Sequence, residues 1–152
     1  MRLSQNLDPE NVLISPDVER REDLFRRFGR ILADAKLTDA ADDVVDRLME
    51  REAILSTGLG RGVADPHAQL PGLGRLLMMA SSHPDGIDYP SLDGQPVRLV
   101  FCLLGDAGTT ADHLAGLARL ARLARRQAAL DPLIAAGDGH EFVAALKELE
   151  GA

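Results

Sequence analysis

Tryptophan is missing from this 152-residue chain, Tyr89 is its lone tyrosine, and aromatic residues make up only 3% of it. Its core must therefore be built from Leu, Ile, Val, Ala, Met and a few Phe. One cysteine, Cys102, excludes an intramolecular disulfide and fits a reducing compartment. Lys and Arg number 17 against 24 Asp and Glu, for a formal charge of −7. That balance argues against general nucleic-acid binding, which needs a surplus of cations, while leaving room for a local basic patch. No apolar run is long enough to cross a bilayer. The opening MRLSQNLDPENV has no apolar core of the signal-peptide kind. These absences point to a cytoplasmic protein without membrane insertion. No His/Cys/Asp/Glu cluster has metal-ligand spacing, so neither metal nor cofactor is expected. No repeat, low-complexity tract or linker divides the chain, and residues 1–152 read as a single domain.

A β-prone stretch, Val12 to Ile14, ends at Ser15-Pro16. From Asp17 to Asp34, Leu24, Phe25, Phe28, Ile31 and Leu32 recur at helical spacing. Thr38 and Asp39 can cap a second helix running to about Glu52. Leu73 to Ala80 predicts a buried strand, and Ser81 to Gln95, rich in Pro, Gly, Asp and Ser, predicts a loop. Val97 to Leu104 (VRLVFCLL) is the strongest strand, apolar enough to be covered on both faces, with Cys102 as a small core residue. A long helix follows Thr109, Thr110 and Asp112, with Leu114, Leu117, Leu120 and Leu123 every third residue and HLAGLARLARLARRQAAL as its body. Threefold spacing drifts around a helix, so its apolar surface should be broad. Short helical segments near 131–136 and 140–149 close the chain. Long helices alternating with short strands predict an α/β fold, a three-layer α/β/α sandwich with a small mixed β-sheet flanked by helices.

Chemistry concentrates between Arg51 and His67. The stretch Ser56-Thr57-Gly58-Leu59-Gly60-Arg61-Gly62-Val63-Ala64-Asp65-Pro66-His67 has three glycines at alternate positions and should be irregular and extended. Pro66 fixes its own φ and biases Asp65 toward extended backbone, which puts His67 on a stiff stem. A P-loop does not fit: its Lys-Ser/Thr is missing, and Pro66 and Pro71 leave no helix after the glycines. A dinucleotide fingerprint fails for the same reason. Taken alone, His67 is a loop histidine able to present its ring.

Arg51-Glu52, Ser56-Thr57-Gly58, Gly60, Gly62-Val63-Ala64 and Pro66-His67-Ala68 resemble the signature of enzyme IIA of the fructose/mannitol class of the sugar phosphotransferase system, nitrogen-regulatory IIA proteins included. LDPENVLI, the helix pair, DGIDYPSLDGQPVRLVFCLLG and HLAGLARLARL match the family's order and spacing, so the resemblance covers nearly the whole chain. It implies that a phosphorylated histidine phosphocarrier protein donates to His67. The group would then pass to a IIB domain, or its presence would signal to regulatory target proteins. The same resemblance implies phosphate-binding roles for Arg51, whose guanidinium is a fixed fork of donors, and for His113, the family's second active-site histidine. From the residues alone, Arg51 could equally be a helix-end ion pair, and His113 a polar residue near a helix cap.

Asp65 departs from the family, which usually has an aliphatic residue there. Three readings stand: its carboxylate favours protonated His67 and hinders transfer; it orients the ring and helps; or it points to solvent without effect. Ser56 and Thr57 either donate to phosphate or shape the turn. His83 and His140 read as surface residues. Arg119, Arg122 and Arg126 share a helix face, either a docking stripe or a solvated face.

Overall fold

A computed structural model describes residues 2–151. A six-stranded mixed sheet runs in the order β1-β5-β6-β3-β2, with β4 also paired to β6. Its strands are β1 (Leu7–Ile14), β2 (Gly58–Gly60), β3 (Val63–Ala64), β4 (His67–Gln69), β5 (Leu77–Ile87) and β6 (Val97–Gly105). Helices α1 (Arg21–Asp34) and α2 (Ala41–Ile54) cover one face. Helices α3 (Thr110–Ala124), α4 (Asp131–Ala135) and α5 (Gly139–Gly151) cover the other. The expected three-layer α/β/α sandwich is present. Among the described residues, no helix is long and apolar enough to cross a membrane.

Strand β6 shows why. Leu99, Phe101 and Leu103 alternate into the core beneath α3, α4 and α5, and Val100, Cys102 and Leu104 into the core beneath α1 and α2. A strand covered on both faces needs apolar residues at successive positions, which is how β6 reads from Leu99 to Leu104, with only Arg98 exposed before them. Its alternation with β5 sets an antiparallel register, Met79 opposite Cys102 and Ser81 opposite Val100.

Several boundaries differ from the sequence expectation. Strand β5 starts at Leu77 rather than Leu73 and continues to Ile87, into the first half of the stretch expected as loop, while the part that follows to Gln95 holds only isolated bridges and turns. Pairing with β6 overrides the weak strand propensity of SSHPDG, and the register shifts between Ser82 and Ile87 to absorb it. His83 is consequently not a surface residue: it is only 4% exposed, with Nε2 2.7 Å from Ser81 Oγ. His140 is exposed, as expected. Helix α3 ends at Ala124, six residues short of Leu130; a 3-10 turn at Gln127–Leu130 follows. At about 100° per residue, each third-residue step falls about 60° behind, so Leu114 and Leu123 point to opposite sides. Leu123 is buried and Leu114 is 63% exposed.

The arginine stripe is partly used inside the fold. Arg119 lies 3.7 Å from Glu150, and Arg126 Nη1 donates to the Leu149 carbonyl at 3.1 Å. Glu150 also accepts the backbone N–H groups of Leu3 and Ser4, which ties both ends of the chain together.

Candidate functional site

The segment expected to be irregular is built from short paired strands. Strands β2 and β3 form a hairpin whose two central residues, Arg61 and Gly62, have φ of 58° and 81°. Positive φ at both positions is what the tightest hairpin turns require. Gly58 is compelled for another reason: a Cβ there would lie 2.3 Å from the Pro90 carbonyl oxygen.

Beyond the hairpin, β3 and β4 run parallel along the same edge of β6, Val63 opposite Leu99 and His67 opposite Leu103. Asp65 and Pro66 interrupt the ladder between them. A proline is tolerated at such an edge, and its carbonyl still accepts the Leu103 N–H at 3.0 Å. The break leaves the half-buried His67 facing the end of α2 and the start of α3.

The three residues singled out from the sequence meet there. Arg51, in the last turn of α2, donates from Nε to His67 Nε2 at 3.2 Å and from Nη1 to the Leu55 carbonyl at 2.8 Å. His113, in the first turn of α3, sets its ring edge-on to His67, with centroids 5.4 Å apart and planes at 78°. His113 Nε2 is buried and has no hydrogen-bond partner among the described residues. Arg51, His67 and His113 line an open cleft of about 430 Å³ with Arg47, Thr110 and Leu114.

The tautomer of His67 follows from its contacts. Nδ1 lies 2.8 Å from the Asp65 carbonyl oxygen, which can only accept, so Nδ1 carries the proton. Nε2 therefore bears the lone pair, consistent with the Arg51 N–H aimed at it. Burial lowers the His67 pKa below its ordinary value against the opposing pull of the Asp65 carbonyl, and the Arg51 charge lowers it further. Burial and the neighbouring His67 likewise lower that of His113. Both imidazoles are neutral at physiological pH.

Asp65 touches the ring with its carbonyl, a group that any residue supplies. The reading that sends its side chain to solvent is wrong: Asp65 is only 6% exposed. Burial, reinforced by Glu52 and opposed by Arg51, pushes its carboxyl up to about 7. Ser56 and Thr57 shape the turn, with Ser56 Oγ donating to the Pro90 carbonyl and Thr57 bonded to Glu52.

The sequence reading missed two features. Ile54 (80% exposed) and Leu114 form an apolar rim on the cleft, and the exposed Leu55 (61%) follows Ile54 directly at the end of α2. The signal for Leu114 was present in helical phase, since it falls opposite the buried Leu123. Glu52, part of the Arg51-Glu52 signature but without an expected role, is buried at the head of the glycine segment.

Fold and site together define a class: an α/β sandwich in which two neutral imidazoles and a guanidinium meet in one open cleft. The chain belongs to the family described as "Phosphoenolpyruvate-dependent sugar phosphotransferase system, EIIA 2", whose model matches residues 5–149. It is 35% identical over 147 residues to the nitrogen regulatory protein of Bradyrhizobium diazoefficiens, covering 96% of this chain and 95% of that one. To the mannitol-specific phosphotransferase enzyme IIA component of Geobacillus stearothermophilus it is 30% identical over 146 residues, covering 94% and 96%. The crystal structure of nitrogen regulatory protein IIA-Ntr from Neisseria meningitidis superposes with a TM-score of 0.86 at 28% identity, covering 95% of this chain and 98% of that one.

Proposed function

We propose that His67 Nε2 accepts a phosphoryl group from a phosphorylated histidine phosphocarrier protein. The observation that carries this reading is the Nδ1–H···O=C bond to Asp65, which leaves the lone pair on Nε2, in the cleft. In transfer, that lone pair attacks phosphorus. The new N–P bond forms as the donor's N–P bond breaks, and the Nδ1 proton stays in place. Positioning and charge stabilisation do the rest. The Arg51 fork turns its N–H groups to the phosphoryl oxygens, and His113 donates a further N–H from the positive end of α3. The apolar rim of Ile54 and Leu114, with Leu55 beside it, is the docking surface for the donor and for a IIB domain. In this role residues 1–152 act as one cytoplasmic IIA domain.

A regulatory use of the phosphorylated state is the second reading. It is favoured by the likeness to proteins named as nitrogen regulatory in both comparisons, 35% identity along nearly the whole of both chains for one and a TM-score of 0.86 for another.

Incubation with phosphoenolpyruvate, enzyme I and the phosphocarrier protein tests the acceptor role. Wild type should gain one acid-labile phosphoryl group and His67→Ala none; an unlabelled wild type beside an active phosphocarrier defeats the proposal. Onward transfer to a sugar-specific IIB domain would favour transport, and retention of the group would favour regulation.

A further inference from the structure

A second polar centre lies beneath the site. Helix α2 ends with Arg51 reaching into the cleft and Glu52 turned into the core. Four donors converge on the Glu52 carboxylate. Oε2 accepts the Thr57 backbone N–H at 3.0 Å and Arg21 Nη1 at 3.2 Å. Oε1 accepts the Tyr89 hydroxyl at 2.5 Å and the Thr57 hydroxyl. The Thr57 and Tyr89 oxygens are themselves 2.6 Å apart. Arg21 closes the arrangement by stacking over the Tyr89 ring, 5.7 Å from its centroid. One carboxylate thus joins the start of α1, the end of α2, the head of the glycine segment and Tyr89, just beyond β5.

From Thr57 a chain of hydrogen bonds leads to the reacting ring. The Thr57 carbonyl accepts the Asp65 N–H at 3.0 Å, and the Asp65 carbonyl accepts His67 Nδ1–H at 2.8 Å. Asp65 is a position where the ladder to β6 is broken, so its backbone N–H is held by Thr57 rather than by β6.

We propose that Glu52 is a positioning residue for His67: by gripping both the backbone N–H and the hydroxyl of Thr57, it sets the Asp65 carbonyl where it fixes the Nδ1–H tautomer and leaves Nε2 bare. The inference deepens the acceptor reading and rests on it for its kinetic consequence, but not for its structural one. The reach of the Glu side chain matters here more than its charge. A shorter carboxylate keeps the ionic attraction to Arg21 but cannot hold both Thr57 donors and Tyr89. A side chain of equal length with an amide head can, because the Thr57 and Tyr89 hydroxyls turn from donating to accepting where the amide N–H₂ replaces an oxygen.

The test compares Glu52→Gln with Glu52→Asp in the full chain, both checked for native circular dichroism. Nitrogen-15 NMR of the His67 ring above its pKa reads the tautomer, and phosphoryl transfer from the phosphocarrier reads kcat and KM separately. Glu52→Gln should keep the Nδ1–H tautomer and nearly wild-type kcat. Glu52→Asp should show mixed tautomers and a kcat lower by about tenfold or more, with KM for the phosphocarrier unchanged. A wild-type tautomer and kcat in Glu52→Asp overturn the proposal. So does loss of both in Glu52→Gln with retention in Glu52→Asp, which would assign the effect to charge. If either variant fails to fold, Thr57→Val, which keeps the backbone N–H and removes the hydroxyl from the grip, takes its place: mixed tautomers support the proposal and an unchanged ring overturns it. Failure of the wild type to accept a phosphoryl group would count against the acceptor reading alone, and the tautomer comparison would still decide the positioning one.

Discussion

Asp65 should make this protein less stable as the pH rises through neutrality. Its carboxyl titrates at about 7 in the folded chain against an ordinary value of 3.8, because burial penalises the charged form and Glu52 adds to the penalty. Between those values the folded state binds more protons than the unfolded state, so stability falls with increasing pH. The contribution is fully present below about pH 4, declines as pH rises toward 7, and is flat above it. At ~1.4 kcal/mol per pKa unit the whole effect is about 4 kcal/mol, of which roughly 2.5 kcal/mol falls between pH 5 and pH 8. The perturbation is Asp65→Asn, close in shape and unable to ionise. Urea unfolding of both proteins across that range is the assay, with stability taken from the midpoint and slope. The histidines titrate in both and largely cancel in the difference. Asp65→Asn should gain on wild type by roughly 2.5 kcal/mol from pH 5 to pH 8. Phosphoryl acceptance should follow the same course: similar rates at pH 6, where wild-type Asp65 is mostly neutral, and a faster variant at pH 8, where the ionised carboxylate repels the incoming phosphoryl group. Parallel stability curves would refute the reasoning, because they would mean that Asp65 is ionised in the fold throughout.

Gly58→Ala should cost more than about 2 kcal/mol in chemical denaturation, since its Cβ would sit 2.3 Å from the rigid Pro90 carbonyl. His83, buried, has its pKa pushed down to about 4. The folded state resists its protonation, so stability is lost as the pH falls from about 6.5 toward 4, by up to roughly 3 kcal/mol, and His83→Gln should flatten that acid limb. Leu114→Asp should leave the unfolding midpoint nearly unchanged, because the side chain is 63% exposed, while raising KM for the phosphocarrier with kcat retained. An unaltered KM would remove Leu114 from the docking rim.

The run VRLVFCLL by itself determined that a strand buried on both faces lies at the centre, since alternate positions must find apolar cover on opposite sides. Helical spacing determined α1, and the alternate glycines followed by Pro66-His67 put a histidine on a stiff stem, which only the signature around it marked as a candidate site. These are local consequences of side-chain period and backbone freedom. The course of β5 through Pro84 and Gly86 was decided by the tertiary structure, because pairing with β6 outweighs local preference. Partners distant in sequence settled the rest. Burial among other elements raised the Asp65 carboxyl and concealed His83. The Asp65 carbonyl, held from Thr57 and so from Glu52, selected the nitrogen of His67 that faces the cleft. Composition sets which groups a chain can offer, but solvation and long-range hydrogen bonds, which exist only once the layers close, set their protonation and direction.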